Sequence, residues 1–305
     1  MEPGLVSVIL VTWNSARDLP RCLEALAAQT YAPRELIVVD NASADASLSL
    51  VASHATQIIR NETNRGFSVA VNQALRVARG EFVQLLNPDC FLGPKYIARL
   101  VPLLQGDVGM ATGKLLRAEG GGIDSMGIRM TRTGRHLDID REVDGEVFGV
   151  SGAAALYKRA MLDDVAINGE IFDEDFFAYR EDADLGWRAR LFGWRAVAVP
   201  DAVAHHVRRV TPEVRRALPA EINMHSVKNR FLLRIKNEGL YLALRNAPFE
   251  LTRDLVVFVA ALTIERSSLP AFAWLWRNRA RVLVKRRAVQ SRRRVSDRSL
   301  ARWFR

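Results

Sequence analysis

Three short apolar runs in the first third of the chain most constrain its fold. They read LVSVILVT (residues 5–12), ELIVV (35–39) and EFVQLL (81–86), as expected for strands that are buried on both faces of a sheet. Weaker patterns complete the alternation: strands at 57–60 and 108–112, and helices that start at Ser15 and span 67–77 and 94–104. Ser15 and Asp18 have the spacing of a capping box. Strands and helices joined by short connections predict a doubly wound α/β sheet.

Polar clusters follow three of these strands. Asn14, Asp40 and Asp89 each lie just beyond a strand end, and such sheets bind ligands beyond the carboxyl ends of their strands. Turn formation would account for one or two polar residues there, whereas three clusters at one edge favour a site. The chain lacks G-x-G-x-x-G after the first strand and lacks G-x-x-x-x-G-K-[ST]. This argues against a dinucleotide dehydrogenase and a P-loop NTPase.

The stretch IFDEDFFAYREDADLGWRARLFGWR (171–195) mixes acidic with aromatic residues. Its first fourteen residues hold six acids and one base. Because carboxylates resist burial unless they are paired or bind a cation, this mixture indicates a cleft wall. A carboxylate there could accept a proton from a substrate hydroxyl. Alternatively, Glu181, Asp182 and Asp184 only stabilise the dipole of a helix running to about Phe192, with Arg188 as an ion-pair partner. The segment alone leaves both interpretations open.

Other segments could contribute to the same cleft. Residues 113–147 are rich in glycine and polar residues and predict a hairpin or a mobile loop over it. His205 and His206 follow a predicted strand, and a histidine pair beside carboxylates fits a ligand site about as well as a structural role. An amphipathic helix is predicted at 219–237, with cations that face either pyrophosphate or solvent.

The two cysteines and the N-terminal sequence indicate the cellular compartment in which the protein is expected. Cys22 and Cys90 form neither a disulfide framework nor a metal knuckle, which fits a reducing environment. The N-terminal sequence MEPGLVSVILVTWNS has no basic residue before its apolar run. It is therefore predicted to be a first strand and not a signal peptide.

The positive charge of the chain is concentrated at its C-terminal end. The net charge is +10, but residues 266–305 alone contain thirteen Arg or Lys and one acid. The uncharged run at 255–264 is too short to span a bilayer, which needs about 20 residues. Trp274 and Trp276 among dense arginines are typical of a helix in a membrane interface. Packing against the domain would explain the apolar residues but not the charge. No nucleic-acid-binding motif accompanies it, so an anionic membrane surface is favoured over nucleic acid.

Six motifs together resemble an inverting family 2 glycosyltransferase of the GT-A fold, close to the bacterial rhamnosyltransferases. They are VSVILVTWNS, ELIVVDNAS, NRGFSVAVNQAL, LLNPDC, SGAAAL and FFAYREDADLGWRARLFGW, weak singly but specific in this order, and they cover about residues 5–240. The resemblance implies a Rossmann-like mixed sheet with a nucleotide-sugar half at about 1–112 and an acceptor half at about 113–240. A basic, amphipathic, helical membrane-associating tail at 241–305 would follow.

The resemblance also implies roles for individual residues. Asp182 would be the general base. The donor nucleotide sugar would be held by Thr12, Asn14, Asp40, Asn41, Arg65, Gly66 and Asn87. The acceptor would be bound by Glu181 and Gly152, with Trp187 and Arg188 shaping its pocket or packing beneath it. Asp89, with His205 or less readily His206, would bind Mn²⁺ or Mg²⁺ on the diphosphate. Asn87 stands where the family's D-x-D element has its first carboxylate.

The function implied is transfer of a sugar, with inversion, to a hydroxyl of a glycan or polyprenyl-diphosphate-linked acceptor in cell-wall or surface polysaccharide synthesis. L-Rhamnose from dTDP-rhamnose is the leading donor, with UDP-sugars next. The enzyme would be cytoplasmic and peripheral on the inner face of the membrane, with no nucleic-acid partner. The alternatives are a sugar-phosphate nucleotidyltransferase and a non-catalytic nucleotide-sugar-binding protein of the same fold.

Overall fold

A mixed, ten-stranded sheet organises the protein in the computed structural model, which describes residues 1–208 and 220–305. The strands are β1 (Glu2–Thr12), β2 (Arg34–Asp40), β3 (Gln57–Arg60), β4 (Gly80–Leu86), β5 (Cys90–Leu92), β6 (Val108–Arg117), β7 (Ile123–Ser125), β8 (Ile128–Met130), β9 (His136–Asp138), β10 (Gly145–Val147), β11 (Ala154–Lys158) and β12 (Arg195–His206). The main path runs β10-β12-β6-β11-β4-β1-β2-β3; β5 pairs with β12 and β7 with β6, while β8 and β9 form a separate two-stranded sheet.

The helices cover both faces of the sheet and form the C-terminal region. They are α1 (Leu19–Ala27), α2 (Ser47–Val51), α3 (Phe67–Val77), α4 (Tyr96–Leu100), α5 (Arg159–Val165), α6 (Glu181–Leu191), α7 (Ala220–Asn237), α8 (Leu240–Thr263), α9 (Pro270–Arg277), α10 (Arg279–Ser291) and α11 (Asp297–Leu300). Pro219, the predicted first residue of the helix that is now α7, lies outside the described residues.

The pairing of the strands confirms the mixed α/β sheet. β1 is parallel to both β2 and β4, whereas β11 is antiparallel to β4 and β6. Along β1, Ile9 belongs to the hydrophobic core on one face and Val8 to the core on the other. Successive side chains of a strand point to opposite faces, so the continuous apolar run is explained by burial on both sides.

The start of the first helix differs from the prediction. α1 begins at Leu19, and the Asp18 side chain makes no capping hydrogen bond. The Ser15 hydroxyl instead accepts a hydrogen bond from the Trp13 N–H at 3.3 Å, inside the turn that precedes the helix. Pro20 lies in the first turn of α1, where its fixed φ suits a helix start and its missing N–H costs nothing.

The glycine-rich segment 113–147 is a set of short strands. It extends β6 to Arg117, forms the β8–β9 hairpin, and adds β10 to the edge of the main sheet beside β12. The residue Arg135, just before β9, lines the cleft described below. The segment is therefore a hairpin wall of the cleft.

The predicted tail at 241–305 does not form a separate unit. α10 packs along α7, and Phe304 is fully buried, with its ring 4.9 Å from that of Trp187 and 5.9 Å from that of Phe148. Phe304 also forms a β-bridge with Met130. The predicted boundary at residue 240 is corrected accordingly, since residues beyond it complete the core of the sheet domain.

Candidate active site

Two adjoining cavities open at the carboxyl ends of β1, β2 and β4. The acidic cavity, of about 590 Å³, is lined among others by Gly152, Glu181 and Asp182. The strand-end cavity, of about 530 Å³, is lined among others by Asn41 and Asp89. Both share Phe67, Asn87, Ala178, Tyr179 and Ile222 in their walls. A ligand longer than either cavity could therefore occupy both at once.

Of the residues predicted to hold the donor, Asn41, Gly66 and Asn87 line the strand-end cavity, whereas Thr12 and Asp40 are buried at the ends of β1 and β2. The Thr12 hydroxyl donates a hydrogen bond to Asp40 Oδ1 at 3.0 Å, across adjacent strand ends. Asn41 Nδ2 donates to the carbonyl of Gly66 at 3.2 Å, and the backbone N–H of Arg65 donates to Asn41 Oδ1 at 3.1 Å. These bonds fix the shape of the loops and leave the Arg65 side chain exposed.

Two further donor-side residues frame the same edge. Asn14 is exposed and accepts a hydrogen bond from the Ala44 N–H at 2.8 Å through its side-chain oxygen. The backbone N–H of Asn87 donates to the carbonyl of Ala153 at 2.9 Å, next to Gly152. Asn87 therefore lies at the junction of the two cavities, which fits its place in the N-P-D element.

His206, and not His205, faces Asp89. His206 Nε2 lies 3.5 Å from Asp89 Oδ1, and Nδ1 lies 2.8 Å from Asp124 Oδ2. His205 is exposed, because neighbouring residues of β12 point to opposite faces of the sheet. Burial opposes a charge on His206, but hydrogen bonds with Asp124 and Asp89 outweigh it and raise the pKa of His206 to about 9. The structure thus places His206, the less favoured of the two predicted candidates, and not His205, beside Asp89.

The Asp89–His206 pair fits part of a divalent metal site. Among the described residues no group of three His, Cys, Asp or Glu side chains is arranged to hold a metal, so a metal here would take further ligands from its diphosphate and water. A carboxylate on the outer nitrogen of a histidine, as Asp124 is on His206, is the usual support of a metal-bound imidazole. Mixed imidazole and carboxylate ligands suit Mn²⁺, whereas Mg²⁺ prefers oxygen alone.

Asp182 is held in the acidic cavity by backbone donors. Its Oδ2 accepts a hydrogen bond from the Gly152 N–H at 3.1 Å, and its Oδ1 accepts one from the Ala183 N–H at 2.7 Å. Burial raises the pKa of Asp182 to about 6 although both N–H groups lower it. Burial and the neighbouring Asp182 charge raise the pKa of Glu181 to about 8. Asp182 is thus the stronger acid of the pair and is ionised near neutral pH.

The loop that precedes Glu181 and Asp182 has an unusual backbone. Phe177, Tyr179 and Arg180 all have positive φ, between 64° and 71°, a conformation that is uncommon for residues with side chains. Asn229 of α7 is fully buried, and its Nδ2 lies 2.8–2.9 Å from the carbonyl oxygens of residues 176, 178 and 179. Sequence reasoning missed Asn229. Its one signal was a polar residue on the same helical face as Lys236, which is also buried.

Trp187 and Arg188 lie beneath the cleft and do not line it. Trp187 is fully buried against Phe148 and Phe304. Arg188 is also buried; it pairs with Asp184 at 3.0 Å and donates to the carbonyl of Val165. Their prediction as acceptor-binding residues is corrected to packing beneath the pocket, because helix α6 turns both side chains into the core.

The acids of the 171–195 stretch divide into two groups. Glu181 and Asp182 line the acidic cavity. Asp173 and Asp184 are buried in an ion network with Lys236 of α7, and Asp173 also pairs with Lys285 of α10 at 2.6 Å. The cleft interpretation therefore describes Glu181 and Asp182, and the predicted ion pair of Asp184 with Arg188 is observed below the cleft.

The family model of glycosyl transferase family 2 matches residues 7–166, which is more than half of the chain. The chain belongs to glycosyl transferase family 2. It is therefore assigned as a glycosyltransferase, in place of the nucleotidyltransferase alternative. The match contains Gly152 and most of the residues that line the strand-end cavity, and it ends before Asp182.

Curated relatives of this family 2 protein are named as glycosyltransferases. The chain is 24% identical over 268 residues to EpsH of Bacillus subtilis, named as a candidate glycosyltransferase, covering 82% of this chain and 70% of EpsH. It is 27% identical over 237 residues to the N-acetylglucosaminyl-diphospho-decaprenol L-rhamnosyltransferase of Mycobacterium tuberculosis, covering 66% of this chain and 76% of that enzyme.

Solved structures share the GT-A fold. TarS of S. aureus aligns with a TM-score of 0.60 at 21% identity over 88% of this chain, which spans 47% of TarS. The mannosyltransferase PcManGT of Pyrobaculum calidifontis, in complex with GDP-Man and Mn²⁺, aligns with a TM-score of 0.57 at 23% identity, over 94% of this chain and 85% of that one. The predicted fold is confirmed.

Proposed function

We propose that this family 2 glycosyltransferase transfers a sugar with inversion from a nucleoside diphosphate sugar to an acceptor hydroxyl, with Asp182 as the general base. The observation that carries the proposal is the position of Asp182. It is half-buried and lines the acidic cavity, with its pKa raised to about 6, and that cavity adjoins the one containing Asp89. A base with a pKa near the working pH combines ionisation with effective proton transfer.

In the proposed reaction the nucleotide lies in the strand-end cavity and the acceptor in the acidic cavity. Asp182 takes the proton of the acceptor hydroxyl as its oxygen bonds to the anomeric carbon. The bond from that carbon to the diphosphate oxygen breaks on the opposite face, and the electron pair leaves with the diphosphate. Attack opposite the leaving group inverts the sugar. Glu181, neutral below its raised pKa, can donate a hydrogen bond to a sugar hydroxyl.

Asp89 and His206 are proposed to hold Mn²⁺ against the diphosphate, with Asp124 orienting His206. When bound, the metal would offset the negative charge that develops on the leaving group. The single carboxylate of N-P-D makes this protein site weaker than one with two. The Mn²⁺ in the PcManGT complex supports the choice of metal.

The proposed donor is dTDP-rhamnose, with UDP-sugars as the next candidates. Support comes from the rhamnosyltransferase relative and from the UDP-GlcNAc complex of TarS, which aligns with a TM-score of 0.60. The diphospho-decaprenol acceptor in the name of that relative favours a polyprenyl-diphosphate-linked acceptor here, used at the cytoplasmic face of the membrane.

Calorimetry with dTDP-rhamnose, UDP-glucose and UDP-galactose, each with and without Mn²⁺, tests this proposal. We expect metal-dependent binding of one donor and slow hydrolysis of that donor without an acceptor. Folded protein that neither binds nor hydrolyses a broader donor panel would support the non-catalytic alternative.

Replacing His206 should weaken donor binding in the presence of Mn²⁺. We expect His206→Ala to lower donor affinity at least about tenfold, since even outer-shell changes at metal sites cost that much. The loss should be much smaller when Mn²⁺ is omitted. His205→Ala is the matched control, because His205 is exposed on the other side of β12. Equal losses for both variants would refute the assignment of His206.

The rate of transfer should fall with decreasing pH through about 6. Protonation of Asp182 removes the base, so the rate should drop about tenfold for each pH unit below its pKa. Glu181 has the higher pKa and is already neutral when Asp182 titrates. Glu181→Gln should therefore keep this acidic limb unchanged. The apparent pKa of the acidic limb is read from pH–rate profiles of kcat/KM for the wild type and for Glu181→Gln. A different apparent pKa in Glu181→Gln would assign the titration to Glu181.

A further inference from the structure

Helix α8 is amphipathic with its polar face buried. Asn246 and Glu250 point into the protein and are 0% and 6% exposed. Glu250 pairs with Arg234 at 3.1 Å, and Asp254 pairs with Arg230 at 3.3 Å. A surface helix of a water-soluble protein normally buries its apolar stripe and exposes its polar one. α8 does the reverse.

The outward face of α8 is a continuous apolar stripe. Of the eighteen large hydrophobic residues that are exposed in the described part of the chain, eleven lie between residues 240 and 264. The stripe residues are 45–72% exposed and recur at spacings of three, four or seven: Leu240, Leu244, Leu251, Leu255, Phe258 and Leu262. Such spacing aligns them along one side of the helix. We call this surface the α8 stripe.

Arginines border the α8 stripe. Arg298 lies 5.5 Å from the ring of Tyr241, and Arg266 donates to the carbonyl of Leu262 at 3.3 Å. Both arginines are exposed. The two acids of α8, Glu250 and Asp254, are paired on its inner side. The outward side of α8 therefore combines apolar side chains with positive charge and carries no acid.

No single helix in residues 1–208 and 220–305 is long and apolar enough to cross a bilayer. Only α8 and the helical segment from Arg266 to Arg277, taken together, meet that test by length and composition, and they are bent by 113°. The charged pairs on the inner face of α8 bind it to α7. These features favour a helix lying along a surface.

We propose that α8 lies in the interface of an anionic membrane, with the α8 stripe among the upper acyl chains and the bordering arginines at the lipid phosphates. Apolar area and attraction to anionic lipid together determine such binding. A second copy of the chain fits this surface less well, because a self-paired stripe would bring arginines together with no exposed acid on α8 to meet them. The proposal does not depend on which donor is used.

This assignment places the apolar part of the membrane contact on α8, and the predicted segment at 266–305 supplies only the bordering Arg266 and Arg298. Of the apolar residues that suggested it there, Trp276 is exposed, whereas Phe272, Trp274 and Leu275 are partly buried against the protein. Several of its cations, including Lys285 and Arg294, pair with acids of the sheet domain. Deleting 266–305 would also remove Phe304 from the core, so point variants are the proper test.

Flotation of the full chain with vesicles tests the proposal. We expect binding to phosphatidylglycerol-containing vesicles and weaker binding to pure phosphatidylcholine. The double variant Leu251→Gln/Leu255→Gln should lose about tenfold or more of its partitioning into anionic vesicles. The control Leu283→Gln/Val284→Gln changes two comparably exposed apolar residues of α10 outside the stripe and should bind like the wild type. Donor binding in solution should be unchanged in both.

Two results would overturn the proposal. One is equal flotation of the wild type and Leu251→Gln/Leu255→Gln. The other is a dimer in sedimentation velocity that dissociates in this variant and not in the α10 control, which would assign the stripe to a second copy. Because donor binding is measured without lipid, failure of the membrane proposal is distinguishable from failure of the proposed function.

Discussion

Asp182→Asn should lower the rate of sugar transfer by about 10²–10⁴-fold, the usual contribution of a general base. The amide has nearly the same shape as the carboxylate but cannot take a proton from the acceptor. Donor affinity should change little, because Asp182 lines the acidic cavity and not the strand-end cavity. Initial rates at saturating donor, together with donor titrations, separate the two effects.

The design of this variant must allow for the two backbone donors on Asp182. Gly152 N–H and Ala183 N–H each point at one carboxylate oxygen, and an asparagine can accept from only one of them. We expect the lost hydrogen bond to cost about 1 kcal/mol of stability, too little to unfold the protein. Glu174→Gln is the matched control, since Glu174 belongs to the same acidic stretch but does not line either cavity. Transfer that survives in Asp182→Asn would exclude Asp182 as the base.

Lys285→Met should lower the free energy of unfolding by about 3 kcal/mol. Lys285 is buried and pairs with Asp173 at 2.6 Å, Glu170 at 2.9 Å and Asp175 at 3.0 Å. Removing one partner of a buried ion pair leaves uncompensated charge in the interior. Lys236, which also pairs with Asp173, limits the loss. Urea unfolding at neutral pH measures the difference, with Arg287→Met as the control of equal charge change at an exposed position of α10.

The difference in free energy of unfolding between the wild type and Lys285→Met should also depend on pH. Although burial opposes it, Lys236 and Lys285 hold the pKa of Asp173 well below its usual value. A carboxylate with a lowered pKa stabilises the folded state above its unfolded pKa of about 3.9 and loses that contribution as the pH falls. The gap between wild type and Lys285→Met should therefore narrow below about pH 4. A variant as stable as Arg287→Met at neutral pH would show that α10 is not anchored by this network.

Elements with a local hydrophobic pattern were predictable from the sequence, even where that pattern is weak. The helix expected at 67–77 is observed as Phe67–Val77, and the strand at 57–60 as Gln57–Arg60. Their hydrophobic period is set by residues within a few positions of each other, so no tertiary information was needed. The roles predicted for the N-P-D element and Asp182 came from the family resemblance, because such residues are ordinary in a turn and in a first helical turn.

Features that depend on distant contacts were not predictable. Asp124 orients His206 across 82 positions of sequence, and Asn229 holds a loop about 50 positions away. Choosing between His205 and His206 required the register of β12 against β5 and β6, since a shift of one residue exchanges the two faces of a strand. The burial of the polar face of α8 could not be predicted, because the sequence does not show which side of a helix packs against the rest of the protein.

Because Phe304 packs against Trp187, the core around Trp187 is completed only after the last residues have been synthesised. During synthesis the sheet and α6 leave the ribosome about a hundred residues before Phe304 does, an interval on the order of ten seconds at about 5–20 residues per second. Until then the surface of Trp187 that contacts Phe304 is not buried by it. We expect chaperones to bind the nascent chain in that interval. A fragment that ends at residue 240 should stay bound to chaperones permanently.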